Sequence, residues 1–173
     1  MFAFSMQDLI LEPFAGSVFG LTPGETTKLS GMQHAGVFVG MIFVSIICSG
    51  RFSTRKMGSL DLWITTGCIL SCLALLIISL LASGATYIHL HSIVIFLGVS
   101  NGIFSIAAIG LMMQLAKEGG KRKEGIRMGL WGASQAIAFA LGSLMGTVFS
   151  DLFAYLFQSA REGYATVFLL ESG

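Results

Sequence analysis

Six polar side chains interrupt apolar stretches of this sequence, and a binding site could be built on them. They are Gln33, His34, Asn101, Gln114, Ser134 and Gln135. A strongly polar side chain inside a bilayer is costly, so it marks either a functional site or a hydrogen bond between helices. We expect Asn101 and Gln135, which lie deep in their apolar runs, to face a central cavity, with Ser134 as a neighbouring candidate.

His34 adds a second chemistry, because a neutral imidazole nitrogen can bind a metal centre such as the magnesium of a chlorophyll. This hypothesis rests on one histidine, since His89 and His91 start an apolar run and suit the membrane interface. The sequence shows no nucleophile with its base, no phosphate loop and no paired-aspartate motif, so it predicts no catalytic site and no resident metal. We expect buried free thiols at the three cysteines, Cys48, Cys68 and Cys72.

The composition places these residues in a membrane protein. Of the 173 residues, 54% are hydrophobic and only 11% are charged, and the mean hydropathy is +0.83. A soluble domain of this length would need more surface charge. We therefore predict an all-α, polytopic transmembrane helical bundle that forms a single domain over residues 1–173, with the lipid bilayer as its first partner.

Four apolar runs are long enough to cross a hydrocarbon core of about 30 Å as helices, at about 1.5 Å per residue. They cover residues 31–50, 60–82, 90–116 and 128–150. The first of these helices is predicted to begin just after Thr22, because Thr-Pro-Gly-Glu has the pattern of a capped helix start.

The two ends of the chain predict partial helices. Asp8, Glu12 and Pro13 interrupt residues 1–21, which favours the tail of a membrane helix followed by an interfacial segment. Residues 164–173 begin a further apolar run that is about half a bilayer long. We therefore expect four complete helices flanked by two partial ones, as in a piece of a longer protein.

Small residues at helical spacing predict which helices pack closely, because backbones approach only where side chains are small. The run 128–150 carries two such rows and is predicted to be the helix around which the others are organised. The rows are Gly132, Ala136 and Ala140, and Ala138, Gly142 and Gly146. Gly36 with Gly40, and Gly98 with Gly102, form two further close-packing pairs.

The basic residues predict the orientation of the chain, because eight of the ten lysines and arginines fall in loops 51–59 and 117–127. They are Arg51, Arg55, Lys56, Lys117, Lys121, Arg122, Lys123 and Arg127. The predicted helices put both loops on one side of the membrane, and the positive-inside rule makes that side cytoplasmic. Trp63 and Trp131 are expected to anchor this face. Since topology accounts for the basic run, no nucleic-acid partner is predicted.

Three stretches carry a family resemblance. The first is MQDLILEPF at residues 6–14 with VFG at 18–20 and GETT at 24–27, the second is GIRMGLWGASQAIAF at 125–139, and the third is YATVFLLE at 164–171. With these motifs the chain resembles the PucC family of light-harvesting complex assembly proteins within the major facilitator superfamily, also described as bacteriochlorophyll-delivery transporters.

The resemblance implies the C-terminal half of a major-facilitator fold, with the N-terminal half of the same protein as its partner. It also implies a photosynthetic host, a place in the inner or thylakoid membrane, and chlorophyll or bacteriochlorophyll as cargo rather than as a covalent cofactor. Residues 50–58 look like a degenerate copy of the superfamily's basic loop motif, in which the expected aspartate is missing.

The predicted function is non-enzymatic: assisting the assembly of light-harvesting antenna complexes by binding or delivering pigment, with antenna polypeptides as partners. The candidate ligand-binding residues are His34, Asn101, Ser134 and Gln135. The alternative is a solute transporter that moves a small molecule by alternating access. We expect no acidic residue deep in the membrane, which weighs against proton coupling.

Overall fold

The computed structural model describes residues 2–48, 60–84, 90–118 and 124–157, and these are helical apart from a short turn at residues 20–22. The described chain forms five helices: α1 (Phe2–Phe19), α2 (Pro23–Ile46), α3 (Leu60–Gly84), α4 (Leu90–Glu118) and α5 (Glu124–Phe157). The prediction of an all-α bundle is confirmed.

Helices α2, α3, α4 and α5 are long and apolar enough to cross a membrane. These are the four complete helices that hydropathy predicted. The ends of α3 and α4 lie within two residues of the predicted ends, whereas α5 continues past Asp151 to Phe157. Periodic apolar runs therefore located the spanning elements well.

The start of α2 has the predicted cap. The backbone N–H and the hydroxyl of Thr22 both donate to the Glu25 carboxylate at 2.9 Å. The Glu25 N–H donates in turn to the Thr22 carbonyl oxygen at 2.9 Å. A helix cap of this kind contributes about 1 kcal/mol, because the first turn of a helix otherwise leaves its N–H groups without partners.

Helix α1 is continuous, which corrects the prediction for residues 1–21. The sequence predicted that it would be broken by Asp8, Glu12 and Pro13, yet all three lie within it. A proline inside a helix costs about 3 kcal/mol. Complete burial of a large apolar side chain contributes about 1.5–3 kcal/mol, and Ile10, Leu11 and Phe14 are at most 2% exposed. Packing around the proline therefore outweighs its cost.

Helices α2 and α4 touch backbone to backbone along two glycine pairs. Gly36 and Gly40 of α2 face Gly98 and Gly102 of α4. A methyl group added at Gly36 would lie 2.6 Å from the Ile95 carbonyl oxygen, and methyl groups at the other three glycines would also overlap backbone atoms of the facing helix. The two close-packing pairs that the sequence predicted separately are thus each other's partners.

Helix α4 is the central helix, which corrects the prediction that residues 128–150 organise the bundle. It packs against α2, α3 and α5, whereas α5 packs mainly against α1. Half of the membrane-crossing stretch of α4 is buried (50%), against 11% of that of α5. On α5, Gly142 and Gly146 are buried, but Gly132, Ala136 and Ala140 are exposed. Small residues permit a close contact between helices, but they do not determine whether another helix packs against them.

Two apolar clusters fill the interior at different depths. The first joins α1, α2, α3 and α4 through residues that include Leu11, Leu29, Ile78 and Leu97. The second joins α2, α3 and α4 near the other end of the bundle, through Val44, Trp63, Ile103 and Ala107. On each of α2, α3 and α4, polar residues lie in the stretch between the two clusters.

Substituting Gly40 by alanine is expected to push α2 away from α4 and to lower the free energy of unfolding by about 1–3 kcal/mol, the usual cost of overpacking. Gly31→Ala is the matched control on the same helix, because a methyl group there meets nothing within 4 Å. Thermal unfolding of both variants in detergent measures the difference. Equal unfolding midpoints would contradict the backbone contact.

Candidate functional site

Four polar side chains, one from each of α1 to α4, lie between the two apolar clusters. They are Gln7, Gln33, Ser71 and Asn101, and we call them the polar layer. Gln7, Gln33 and Asn101 are only 3%, 1% and 4% exposed, and Ser71 is half-buried. Side chains that are this polar and this deeply buried in a membrane bundle mark a candidate site.

Asn101 is the centre of the polar layer because it contacts two other helices. Its Oδ1 accepts a hydrogen bond from the Ser71 hydroxyl of α3 at 2.9 Å. Its Nδ2 donates to Oε1 of Gln7 in α1 at 3.5 Å. The structure therefore places the predicted candidate Asn101 inside the bundle, where it links α1, α3 and α4.

Gln33 reaches the same depth from α2. Its backbone packs against Gly98, which lies three residues before Asn101 on α4, so the two positions are neighbours on the helix surface. Among the described residues, Nε2 of Gln7 and Oε1 of Gln33 are buried without a hydrogen-bond partner. The first is a donor and the second an acceptor, so the polar layer can still bind a group that accepts one hydrogen bond and donates another.

A second polar pair lies beside the layer, formed by the residues that follow the two glutamines. Nε2 of His34 is 3.9 Å from Oδ1 of Asp8, and the two side chains are 60% and 39% exposed. This contact puts Asp8 level with the middle of α2. The expectation that no acidic residue lies deep in the membrane stays a prediction, and Asp8 is the acidic residue that it concerns most directly, because the continuity of α1 carries it alongside α2.

The other ring nitrogen of His34 decides what Nε2 can do. Nδ1 lies 2.9 Å from the Ser30 carbonyl oxygen, and since a carbonyl oxygen only accepts, Nδ1 carries the proton in this contact. In the neutral ring, Nε2 then carries the lone pair and can bind a metal centre, whereas a protonated ring pairs with Asp8. The chemistry predicted for His34 is thus available to its neutral form.

The other two predicted candidates lie on α5, which contributes no side chain to the polar layer. Ser134 is exposed, and its hydroxyl donates to the Leu130 carbonyl oxygen of its own helix at 2.9 Å. It lines a separate cavity between α4 and α5. Gln135 is half-buried. The roles of both residues in binding stay predictions.

Sequence reasoning named Gln33 among the polar residues but did not select it, and it missed Gln7, Ser71 and Asp8. Gln33 could have been found, because it lies three residues before Gly36 and seven before Gly40 and so shares the helix face of that glycine pair. The contact of Asp8 with His34 left no comparable signal, since it depends on which helix packs beside α1.

Most of the basic residues that predicted the topology lie outside the described residues: Arg51, Arg55, Lys56, Lys121, Arg122 and Lys123. Lys117 and Arg127 are described, and both are exposed where α4 ends and α5 begins. Nη1 of Arg127 donates to the Leu115 carbonyl oxygen at 2.8 Å. The cytoplasmic position of this end stays a prediction.

Metal and thiol chemistry is limited in the described part of the chain, where no three His, Cys, Asp or Glu side chains are grouped to hold a metal ion. The three cysteines are free, but Cys68 is exposed rather than buried as predicted, and Cys48 and Cys72 are only half-buried. On α3, Gly67 is the residue that contacts Phe104 of α4. Cys68, the next residue, points away from that contact and is therefore exposed.

Comparisons with known proteins give these residues a context. The family model described as PUCC protein matches residues 1–173. The chain is 54% identical over 154 residues to the Bacteriochlorophyll synthase 44.5 kDa chain of Rhodobacter capsulatus, which covers 88% of this chain and 34% of that relative. It is 32% identical over 178 residues to Protein PucC of the same species, and this match covers 99% of this chain and 36% of that relative. The chain thus spans about a third of the length of these curated relatives. No solved structure matches it.

The hydrogen bond between Ser71 and Asn101 can be tested by a double-mutant cycle. Ser71→Ala and Asn101→Ala should each destabilise the protein, and their combination should reveal a coupling energy of about 0.6 kcal/mol, the average for such bonds between membrane helices. Gln114→Ala, at an exposed position of the same helix α4, should be additive with Ser71→Ala. Unfolding free energies measure both cycles, and a coupling of zero in the first would show that the two side chains do not bond.

Proposed function

Since this chain belongs to the PucC family, we propose that it assists the assembly of light-harvesting antenna complexes by binding or delivering chlorophyll or bacteriochlorophyll. The family match over residues 1–173 is the observation that carries the proposal. It is supported by a relative with 54% identity whose name contains bacteriochlorophyll. In this proposal the pigment is cargo, antenna polypeptides receive it, and the protein works in the photosynthetic membrane of its host.

The surface around His34 supports pigment binding on this chain. A chlorophyll offers a magnesium ion that takes one axial ligand, together with a ring and a tail that need apolar surface. Neutral His34 presents the lone pair of Nε2, and Phe38 and Ile42 follow it at four-residue spacing on the same face of α2. These two side chains are 66% and 44% exposed. The face thus combines one metal-binding nitrogen with an apolar strip.

A second candidate function, solute transport by alternating access, is supported by the polar layer. Buried polar groups at the depth of the membrane centre are typical of substrate sites in transporters. The unpartnered Nε2 of Gln7 and Oε1 of Gln33 suit a small polar solute better than they suit a pigment. The major-facilitator architecture that such a transporter would use stays a prediction.

We keep both proposals non-enzymatic. The polar layer consists of three amides and a hydroxyl, groups that bind and orient a ligand but do not exchange protons readily near neutral pH. The word synthase in the name of one relative describes that protein. In our proposal this chain holds or passes on a molecule that other proteins make.

Pigment binding at His34 can be tested on the protein purified at its natural length, in mild detergent, from a photosynthetic host. The wild type should carry near-stoichiometric chlorophyll-type pigment in its absorption spectrum. His34→Leu should lose most of it, because leucine offers no lone pair to magnesium. The matched control is His91→Leu, at a half-buried position near the start of α4, which should keep the pigment.

The other outcomes of this measurement separate the proposals, with protein abundance measured in parallel to detect misfolding. A colourless wild type that retains antenna polypeptides would favour a scaffold for assembly without pigment delivery. A preparation with neither pigment nor antenna polypeptides would contradict the proposed function and favour solute transport. Equal pigment loss in His34→Leu and His91→Leu would remove His34 as the ligand.

A further inference from the structure

A cavity of about 290 Å³ lies between the end of α4 and the start of α5. Its lining includes Met112 and Leu115 from α4 and Arg127, Leu130, Trp131 and Ser134 from α5. The polar layer is formed by other residues, so this is a separate site. Ligand pockets range from roughly 300 to 1,000 Å³, so the cavity suits one part of a larger molecule whose remainder lies outside it.

The wall of the cavity carries one fixed positive charge. The bond from Nη1 of Arg127 to the Leu115 carbonyl oxygen, at 2.8 Å, ties the guanidinium to one of the last carbonyl groups of α4. A carbonyl group is neutral, so this bond does not compensate the positive charge, and it uses only one of five N–H donors. Among the side chains that the structure describes, no carboxylate lies within ion-pair distance of Arg127. The guanidinium is therefore positioned to bind an anion.

The chemistry of the anion follows from the rest of the wall. Leu115, Leu130 and Trp131 are apolar, and a half-buried tryptophan is typical of the headgroup level of a membrane. From Arg127 to Ser134 the cavity follows α5 for seven residues, which is about 10 Å of helix. A ligand that fits has an anionic group at one end and an apolar part that runs from it toward the bilayer centre.

The sequence adds charge at the same end of the bundle. Lys117 is exposed at the end of α4, and residues 117–127 contain five basic residues against two acidic ones, Glu118 and Glu124. Basic residues next to spanning helices attract anionic lipids by about 1 kcal/mol per charge. The net positive charge of this segment therefore favours anionic over neutral lipids at this end of the bundle.

We propose that this cavity binds an anionic phospholipid, with its phosphate on the Arg127 guanidinium and its first acyl carbons against Leu130 and Trp131. Arginine suits this role because its planar fork of N–H groups can bind two phosphate oxygens at once. The site shares no residue with His34 or the polar layer, although Ser134, a predicted ligand-binding candidate, also lines it.

The test must distinguish a specific lipid site in the cavity from diffuse attraction of anionic lipids by the basic residues. The natural-length protein is placed in nanodiscs that contain equal amounts of phosphatidylglycerol and phosphatidylcholine. After release from the nanodisc, native mass spectrometry measures the mass of the protein and so counts the lipids that it retains. Arg127→Gln and Lys117→Gln each remove one positive charge from the same end, so the diffuse attraction falls equally in both. Only Arg127 lines the cavity.

We expect the wild type and Lys117→Gln to retain one phosphatidylglycerol, and Arg127→Gln to retain about tenfold less, the effect of one lost charge-assisted contact. Ser134→Leu keeps every charge but adds apolar volume to the cavity wall, so it should also reduce retention. This variant covers the case in which Arg127→Gln fails to fold.

Three results would overturn the proposal. Equal losses in Arg127→Gln and Lys117→Gln would show diffuse attraction alone. Equal retention of phosphatidylcholine and phosphatidylglycerol would show an apolar groove without anion selectivity. Displacement of the lipid by millimolar inorganic phosphate would show a site for a free anion, because a bound acyl chain should resist a competitor that lacks one.

Discussion

The backbone contact between α2 and α4 is the constraint on which the rest of this bundle depends. Four glycines let the two helices touch, and the approach is close enough that a methyl group at any of them would meet backbone atoms of the facing helix. The same contact presses the backbone of Gln33 against Gly98 and so fixes the depth at which Gln33 enters the interior. Asn101, three residues further along α4, then meets side chains from α1 and α3 at that depth.

The hydrogen bonds of the polar layer do not by themselves stabilise the bundle. Hydrogen bonds between membrane helices contribute about 0.6 kcal/mol each on average, whereas each buried polar group without a partner costs about 1–3 kcal/mol. The layer has two bonds between helices and two unpartnered atoms, so its net contribution is unfavourable. Apolar residues would join the two clusters above and below it at no such cost. In the proposed transport function, a ligand would complete the hydrogen bonds of these amides.

The sequence predicted features that are local in the chain and missed those that depend on which helices are neighbours. Helix ends followed from apolar runs and from the cap at Thr22, and both glycine pairs were visible from their spacing. That the pairs face each other could not be read from either alone. The central place of α4, the continuity of α1 through Pro13 and the contact of Asp8 with His34 all arise from tertiary packing. Asn101 was found because an amide deep in an apolar run is unusual whatever its neighbours are.

The sparse contact between α5 and α4 gives the cavity at Arg127 a structural meaning. The buried small residues of α5, Gly142 and Gly146, lie just past its middle. Near its start, the contact with α4 includes the bond from Arg127 to Leu115 and the walls of the cavity. A phospholipid seated there would touch both helices and fill the space that side chains leave open. Its phosphate would compensate the guanidinium charge while that guanidinium still holds the end of α4. An anionic lipid would thus supply Leu130 and Trp131, near the start of α5, with a packing partner between α4 and α5.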